Sequence, residues 1–471
     1  MANYVWPGIT EVWEARAART EALLRPLAEA GITATSPQRV SWVGDLQQGD
    51  GGKGAMVDRL AATHQVVVRT QGGDNAGHTS VFTDASGERV EIKNHLIPSG
   101  LRHPNTVGLL GNGVLVNADR LRHELEQFEG VGESLKARLF VSDRAHLVLP
   151  LHLLADSRQE NHKEQSGKAI GTTRRGIGPA NASKVNRIGV RVYDLFDMDL
   201  VRDRIRDNVE FFGLPREEVE RNLEWVRGHR DLLLSHGVDS RSFLAAAVEA
   251  GYSVLAEGAQ GPLIDLEHGI YPYVTTSPTT VHSVATGSGL DAARLTHRVG
   301  VLKCYQTMVG NGAFVSEDHG AVGDRLREQG REFGTTTSRP RRCGWLDLVH
   351  ARWAAEVNEY TSVVLTKLDV LDDFEEIGLC VGYELDGDLY YEFKPEHQLL
   401  EDCKPVYAYF PGWRTPTTGI KTYEELPPQA KDFVEFIQAY LGVQMAGVTK
   451  GPGDDDMLIK AALRGAMGYA A

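Results

Sequence analysis

The stretch Arg39–Leu60, RVSWVGDLQQGDGGKGAMVDRL, decides how the chain is read. An apolar run ends in a glycine-rich loop around Lys53, and from Ala55 the apolar residues recur at helical spacing. Strand, glycine loop and helix in that order predict a phosphate cradle, with a structural turn as the alternative reading. Glycines let backbone N–H groups approach an anion, the helix N-terminus favours negative charge, and the lysine supplies a cation. Gly52, Lys53 and Gly54 are the candidate contacts. The loop is not a Walker A sequence, because Gln47 lies five residues before Gly52 and a glycine follows Lys53. Asp50 is foreign to such a loop. Its carboxylate would repel phosphates unless a divalent metal intervened or it had a proton to take from a second substrate. Both roles belong to an enzyme.

The same pattern recurs in QVVVRTQGGDNAGHT, TVGLLGNGV, YSVLAEGAQG, VGVLKCYQT and TSVVLTKLD. Continuous β-branched runs alternating with helical stretches predict an α/β fold, a large mostly parallel central sheet with flanking helices. The chemistry then belongs to the loops at the carboxyl ends of the strands. Residues 196–250 are charged and helical in pattern, with a turn at Gly213–Pro215, and read as an inserted helical subdomain. Residues 10–30 read as a surface helix interrupted at Pro26 and stopped at Gly31. The division is therefore an N-terminal helical extension, 1–39, and a main domain, 40–471. The triplet Asp454–Asp456 reads as solvated surface.

With 64 acidic against 50 basic residues the net charge is −14, which argues against nucleic-acid or anionic-membrane partners but allows a local basic pocket. The four cysteines are dispersed with no CxxC pair, so neither a disulfide framework nor a zinc site is expected, and a reducing cytoplasm fits. No run reaches the roughly 18 apolar residues of a membrane span, and Glu11, Glu14 and Glu21 occupy positions where a signal or transit peptide avoids acids.

Several further loops carry candidate chemistry. Asn75, His78 and Thr79 sit among glycines after a buried strand, where histidine suits acid catalysis or stabilisation of a transferring phosphoryl group. Thr366–Asp369, TKLD, has the form of the [NT]KxD element in which a carboxylate accepts both N1–H and N2–H of guanine. Phe333–Trp345, FGTTTSRPRRCGW, sets Arg339, Arg341 and Arg342 among threonines without an acidic residue, an expected receptor for carboxylates or phosphates. Gly171–Ala180, GTTRRGIGPA, suits an oxyanion, and Glu257–Gly261 and His268–Thr280 could read a base or a phosphate.

Taken together these motifs resemble the adenylosuccinate synthetase family. The family's W-G-D-E-G-K-G is similar to Gln48–Gly54, and N-A-G-H-T to Asn75–Thr79. G-T-T-G-R-G-I-G-P-A is similar to Gly171–Ala180, and E-G-A-Q-G, Y-P-Y-V-T, T-K-L-D and C-G-W recur in order. The resemblance implies GTP-dependent ligation of L-aspartate to IMP through a 6-phosphoryl intermediate. It implies Asp50 as base and Mg2+ ligand, the Gly77 carbonyl beside it on the metal, and His78 as acid partner. GTP would meet Gly52, Lys53, Gly54, Thr79, Arg341, Lys367, Asp369 and Gly451. Asn75, Thr173, Gln260 and Thr275 would hold the purine nucleotide, with Arg187 from a partner subunit of a homodimer, while Thr336, Thr337, Arg339 and Arg175 would hold aspartate. The chain departs from the family at Asp45 and Arg174 (glycines there), Gln48 (tryptophan), Gly51 (glutamate), Asp74 (asparagine or histidine), Pro278 (asparagine), Met308 (arginine) and Ser338 (glycine). Since "DLQ" at Asp45–Gln47 resembles a viral branch acting on dGMP, another 6-oxopurine acceptor is the alternative, as in that branch or in a nucleoside-antibiotic paralogue. A non-catalytic GTP switch is a third reading, which leaves Asp50 and His78 unexplained.

Overall fold

The computed structural model describes residues 9–34, 36–83, 89–167, 169–333, 340–451 and 453–460. Its centre is a ten-stranded sheet. In chain order the strands are β1 (Val40–Asp45), β2 (Val66–Arg69), β3 (Val107–Leu110), β4 (Leu139–Ser142), β5 (Gly237–Val238), β6 (Val254–Glu257), β7 (His297–Lys303), β8 (Ser362–Thr366), β9 (Met445–Thr449) and β10 (Met457–Ile459). Across the sheet the order is β10-β9-β8-β7-β1-β6-β2-β3-β4-β5. All neighbours are parallel except the outermost pair, β9 and β10.

The apolar runs become central strands because both faces are covered. Successive side chains point to opposite sides of a strand, so a run with no polar alternation fills two cores. Val40 and Trp42 of β1 join one apolar cluster while Val43 joins another. The same split separates Val66 and Val68 from Val67, and Val363 and Leu365 from Val364. Trp42 stacks on Tyr360 with ring centroids 5.3 Å apart, and the Tyr360 hydroxyl donates to the Asp45 carbonyl at 2.9 Å, tying the end of β1 to the neighbouring helical layer.

The helical stretch 196–250 forms helices Met198–Phe211, Glu218–Ser235 and Ser240–Glu249. Between the last two the chain passes through β5, which pairs with β4 at the sheet edge. Val201, Ile205, Leu223 and Leu233 pack with Leu110, Leu139 and Val141, so the segment shares its core with this half of the sheet. The run VGVLKCYQT divides in two. Its first part is β7, and after Cys304 the strand Tyr305–Met308 enters a second, five-stranded sheet antiparallel to Arg342–Asp347.

Two local expectations are corrected. The N-terminal helix, Ile9–Glu29, runs through Pro26. A proline forfeits one intrahelical hydrogen bond, and here the adjoining Leu27 is wholly buried in the main core together with Ile32. The helix therefore ends docked rather than free, with Gly31 in left-handed conformation at φ 69°. Asp456, read as solvated, accepts from Lys450 Nζ at 3.1 Å and from the Gly453 N–H at 2.8 Å, and so shapes the loop that follows β9.

Candidate active site

The loop after β1 is organised from beneath by a carboxylate. Asp45, with its side chain fully buried, accepts from the N–H groups of Gln47 (2.8 Å), Gly49 (3.2 Å) and Gly51 (2.8 Å). Lys53 Nζ lies 3.3 Å from Asp45 and donates to the Gly49 carbonyl at 2.7 Å. The ammonium expected on phosphates is thus folded into the loop interior, because a buried carboxylate and a carbonyl compete for it there. Gly52, in left-handed conformation at φ 97°, opens the helix Lys53–Ala61, whose first backbone N–H groups have no intrahelical partner and no side-chain cap.

Four other elements touch this loop. A Cβ on Gly49 would stand 2.6 Å from the Gln260 Cα, so the loop after β6 rests directly on it. Thr366 at the end of β8 donates to the Gly51 carbonyl at 2.7 Å. Gly54 abuts His78, the first residue after the β2 loop, with a virtual Cβ contact of 2.7 Å. Arg341 pairs with the Asp50 carboxylate at 3.2 Å. Asp50 and His78, the two candidate catalytic groups, thereby flank one helix N-terminus. Asp50 remains about a third exposed.

His78 is oriented by Glu257 at the end of β6. Its Nδ1 lies in direct contact with the Glu257 carboxylate and within 3.2 Å of the Ser99 hydroxyl, while Ser99 donates to Glu257 through both N–H and O–H at 2.9 Å. Burial would raise the Glu257 carboxyl, but the charges of His78 and Arg69 and the Ser99 N–H bring it down to about 2. Burial in turn opposes protonation of His78.

A second buried carboxylate, Glu332, joins the arginine loop to the TKLD turn. It accepts from Lys303 Nζ (3.0 Å), Tyr305 Oη (2.5 Å) and Lys367 Nζ (2.6 Å), and its other oxygen pairs with Arg341. Three cations around one carboxylate hold it well below the usual range, against a burial that would raise it. The Lys367 ammonium is engaged there and by the Gly330 carbonyl at 2.9 Å, leaving its alkyl stem as the surface offered to a base. Asp369 differs: its Oδ1 is buried without any partner, and burial raises its carboxyl. An orphan buried acceptor of this kind suits a ligand with adjacent N–H donors. Gly451 lies in the neighbouring loop, which is joined to TKLD by the Lys367 N–H to Thr449 Oγ1 contact of 3.2 Å.

The expected purine-side residues come together in part. Gln260, at φ 63°, carries an unpartnered buried Oε1. Asn75 accepts from the Gly73 N–H at 3.1 Å, and Gly73 packs on Ile177, which brings the β2 loop against the Gly171–Ala180 segment. There Asp156 and Glu160 pin the backbone through the N–H groups of Gly176 (2.8 Å) and Gly171 (2.7 Å), presenting Thr173 exposed and Arg175 half-buried. Thr275 is half-buried, its N–H held by the Ile264 carbonyl at 2.8 Å. Arg187 is exposed at φ 65° beside exposed Val185. Thr336, Thr337 and Arg339 lie outside the described residues, as does the side chain of Thr79. Where the family has tryptophan, Gln48 lines a cavity with Leu263, Phe314, His350 and Tyr383, and its Oε1 has no partner.

For the metal, the donors on offer are oxygens, one carboxylate of Asp50 and the carbonyl of exposed Gly77. Among the described residues no three acidic, histidine or cysteine side chains cluster as a metal cage. That set fits Mg2+, which takes few protein ligands and shares its shell with substrate phosphates and water.

Three contributors escaped the sequence reading. Asp45 was visible only as a departure, and Glu257 only as a letter in EGAQG. Glu332 precedes the arginine loop by one residue, and the available signal was a single acid opening a basic segment.

The adenylosuccinate synthetase family profile matches residues 42–458. The chain belongs to this family. It is 41% identical over 438 residues to the adenylosuccinate synthetase of Schizosaccharomyces japonicus, covering 92% of this chain and 99% of that one. With the adenylosuccinate synthetase of Thermodesulfovibrio yellowstonii it shares 40% over 423 residues, 88% of this chain and 97% of that one. The fully ligated adenylosuccinate synthetase of Plasmodium falciparum superposes with a TM-score of 0.84 at 36% identity, covering 90% of this chain and 100% of that one. The succinoaminodeoxyadenylate synthetase of cyanophage S-2L, solved with dGMP and dATP, shares the fold at TM-score 0.59 and 21% identity, covering 91% of this chain and 98% of that one.

Proposed function

We propose that the protein joins L-aspartate to the 6-position of IMP with GTP as co-substrate, giving adenylosuccinate, GDP and phosphate. The observation that carries this reading is the junction of the Asp50 loop with TKLD, where Thr366 Oγ1 bonds the Gly51 carbonyl at 2.7 Å. A guanine acceptor and a candidate base are thereby tied to one phosphate-binding helix terminus.

Asp50 takes the purine N1 proton, charge moves to O6, and O6 attacks the γ-phosphorus as GDP leaves. The aspartate amine then attacks C6 and expels phosphate, a far better leaving group than hydroxide. His78, oriented by Glu257, stabilises charge developing on the transferring group. The backbone N–H groups of Gly52, Lys53 and Gly54 bind phosphates at the helix terminus, and Asp369 takes the guanine N–H pair against the Lys367 stem. Arg341 can exchange Asp50 for a phosphate; Thr79 and Gly451 complete the GTP site. Asn75, Thr173, Gln260 and Thr275 hold IMP, while Arg175, Thr336, Thr337 and Arg339 hold the aspartate carboxylates. Mg2+, carried by Asp50 and the Gly77 carbonyl, would supply charge neutralisation between the phosphates and the base.

We further infer a homodimer in which Arg187 serves the neighbouring site, supported by exposed Val185, Tyr193 and Phe196 on the same stretch. Among the described residues no helix is long and apolar enough to cross a membrane. A cytoplasmic location is inferred from the four free cysteines and the net charge of −14. Residues 1–39 are assigned as an appendage to the catalytic unit 40–471.

Incubation with GTP, Mg2+ and aspartate, comparing IMP with dGMP, tests the reading by chromatography of the succino-product. Adenylosuccinate from IMP is expected. A product from dGMP alone would move the chain to the other acceptor, and phosphate release without any purine would make it a nucleotide switch.

A further inference from the structure

We infer that Asp45 is the positioning residue for Asp50, and that it and Gly51 are a compensating pair that moves the loop's carboxylate from position 51 to position 45. The inference rests on the catalytic reading of Asp50 given above.

The geometry is specific. The two peptide N–H groups that bracket Asp50 in sequence, those of Gly49 and Gly51, both end on Asp45, at 3.2 and 2.8 Å. A third, from Gln47, shares the Gly49 oxygen at 2.8 Å, and Lys53 Nζ shares the Gly51 oxygen at 3.3 Å. Asp45 is itself fixed, being the last residue of a central strand with its carbonyl held by Tyr360 at 2.9 Å. A carboxylate accepting three backbone N–H groups in a buried setting holds the loop rigidly, because each donor would otherwise be left unsatisfied. The Asp50 backbone is therefore anchored on both sides before any ligand arrives.

The pairing with Gly51 is steric. A Cβ at position 51 would lie 2.6 Å from Asp45 Oδ2 and 3.1 Å from the Val301 carbonyl oxygen, so no side chain fits there while Asp45 occupies its place. The family run that resembles Gln48–Gly54 has glutamate where Gly51 stands, and Asp45 is a departure from a family glycine, the reverse arrangement at the same two positions. Two substitutions that look like unrelated losses are thus one exchange, conserving a single negative charge beside Lys53. The Asp45 side chain is fully buried, so its action is exerted through the loop backbone.

The test is a reciprocal swap in the full-length protein: Asp45→Gly, Gly51→Glu, the double variant and Asp45→Asn. Each single substitution should lower kcat at least tenfold with a smaller change in the KM for aspartate, and the double variant should recover to within a few-fold of wild type. Loss of fold alone would lower melting temperature and active fraction without rescue. Should both single variants prove insoluble, recovery of soluble, active double variant scores the same pairing. Singles whose losses multiply in the double variant, or an Asp45→Asn enzyme with wild-type kcat, overturn the inference. Amide exchange of Gly49 and Gly51 in the unliganded protein, faster in Asp45→Asn if Asp45 holds them, reads the anchoring without catalysis. A wild-type protein that makes no adenylosuccinate would refute the proposed function while leaving that measurement intact.

Discussion

Asp50 is a side chain whose surroundings allow two states. In the unliganded loop it is paired with Arg341 at 3.2 Å, and about a third of it stays open to a substrate. Replacing it by asparagine removes the proton acceptor without changing the loop's shape, so turnover should fall by roughly 10²–10⁴ while GTP binding, measured by calorimetry, changes little. Persistence of turnover would remove Asp50 from the base role. At Asp369 the orphan Oδ1 predicts a different signature: Asp369→Asn should lower kcat/KM for GTP about 10²-fold or more and erase its preference over ITP, which lacks the 2-amino group. Steady-state assays with both nucleotides measure it. Glu257→Gln keeps the volume beside His78 but loses the charge, and kcat should drop about 10²-fold with IMP binding preserved.

At the level of elements, the site depends on how loops from different strands are joined. The Glu332 cluster links the Lys303 end of β7, the Lys367 turn after β8 and the arginine loop entering the second sheet. Breaking a buried ion pair by removing one partner is costly because the remaining charges stay buried. Glu332→Ala should therefore destabilise the fold by about 3–5 kcal/mol in denaturant titration. A near-neutral result would mean that the three cations find water or other partners.

Across the whole molecule, buried neutral histidines make the fold sensitive to mild acid. Burial lowers His152 to about 4, and its Nδ1 accepts the Leu149 N–H at 3.0 Å, a bond that protonation would abolish. His64, fully buried between Ser41 and the Leu60 carbonyl, is also lowered to about 4 by burial. An unfolded histidine takes its proton near 6.5, so between pH 6.5 and 4 the unfolded chain binds more protons than the folded one. Stability is therefore complete above pH 6.5 and declines as pH falls toward 4, by up to roughly 3 kcal/mol for each such histidine. Thermal melts between pH 7.5 and 4.5 should show a falling midpoint, and the His152→Gln variant should show a shallower slope.

Much of this was legible in the chain. Apolar runs with no polar alternation specify strands covered on both faces, and six of the quoted runs contribute strands to one sheet, because burial on two sides requires that composition locally. Glycine loops after two of those runs marked Asp50 and His78, since close backbone approach leaves a sequence trace, and the TKLD motif after a third marked Asp369. What only the tertiary structure decided is the partnership of distant charges. Asp45 beneath its loop, Glu257 behind His78 and Glu332 among three cations each act through contacts whose spacing along the chain follows no period. The break of VGVLKCYQT between two sheets and the strand inside 196–250 are likewise set by which edges lie free to pair. Local pattern encodes which surfaces must be buried; the identity of the group waiting on the other side is a property of the folded whole.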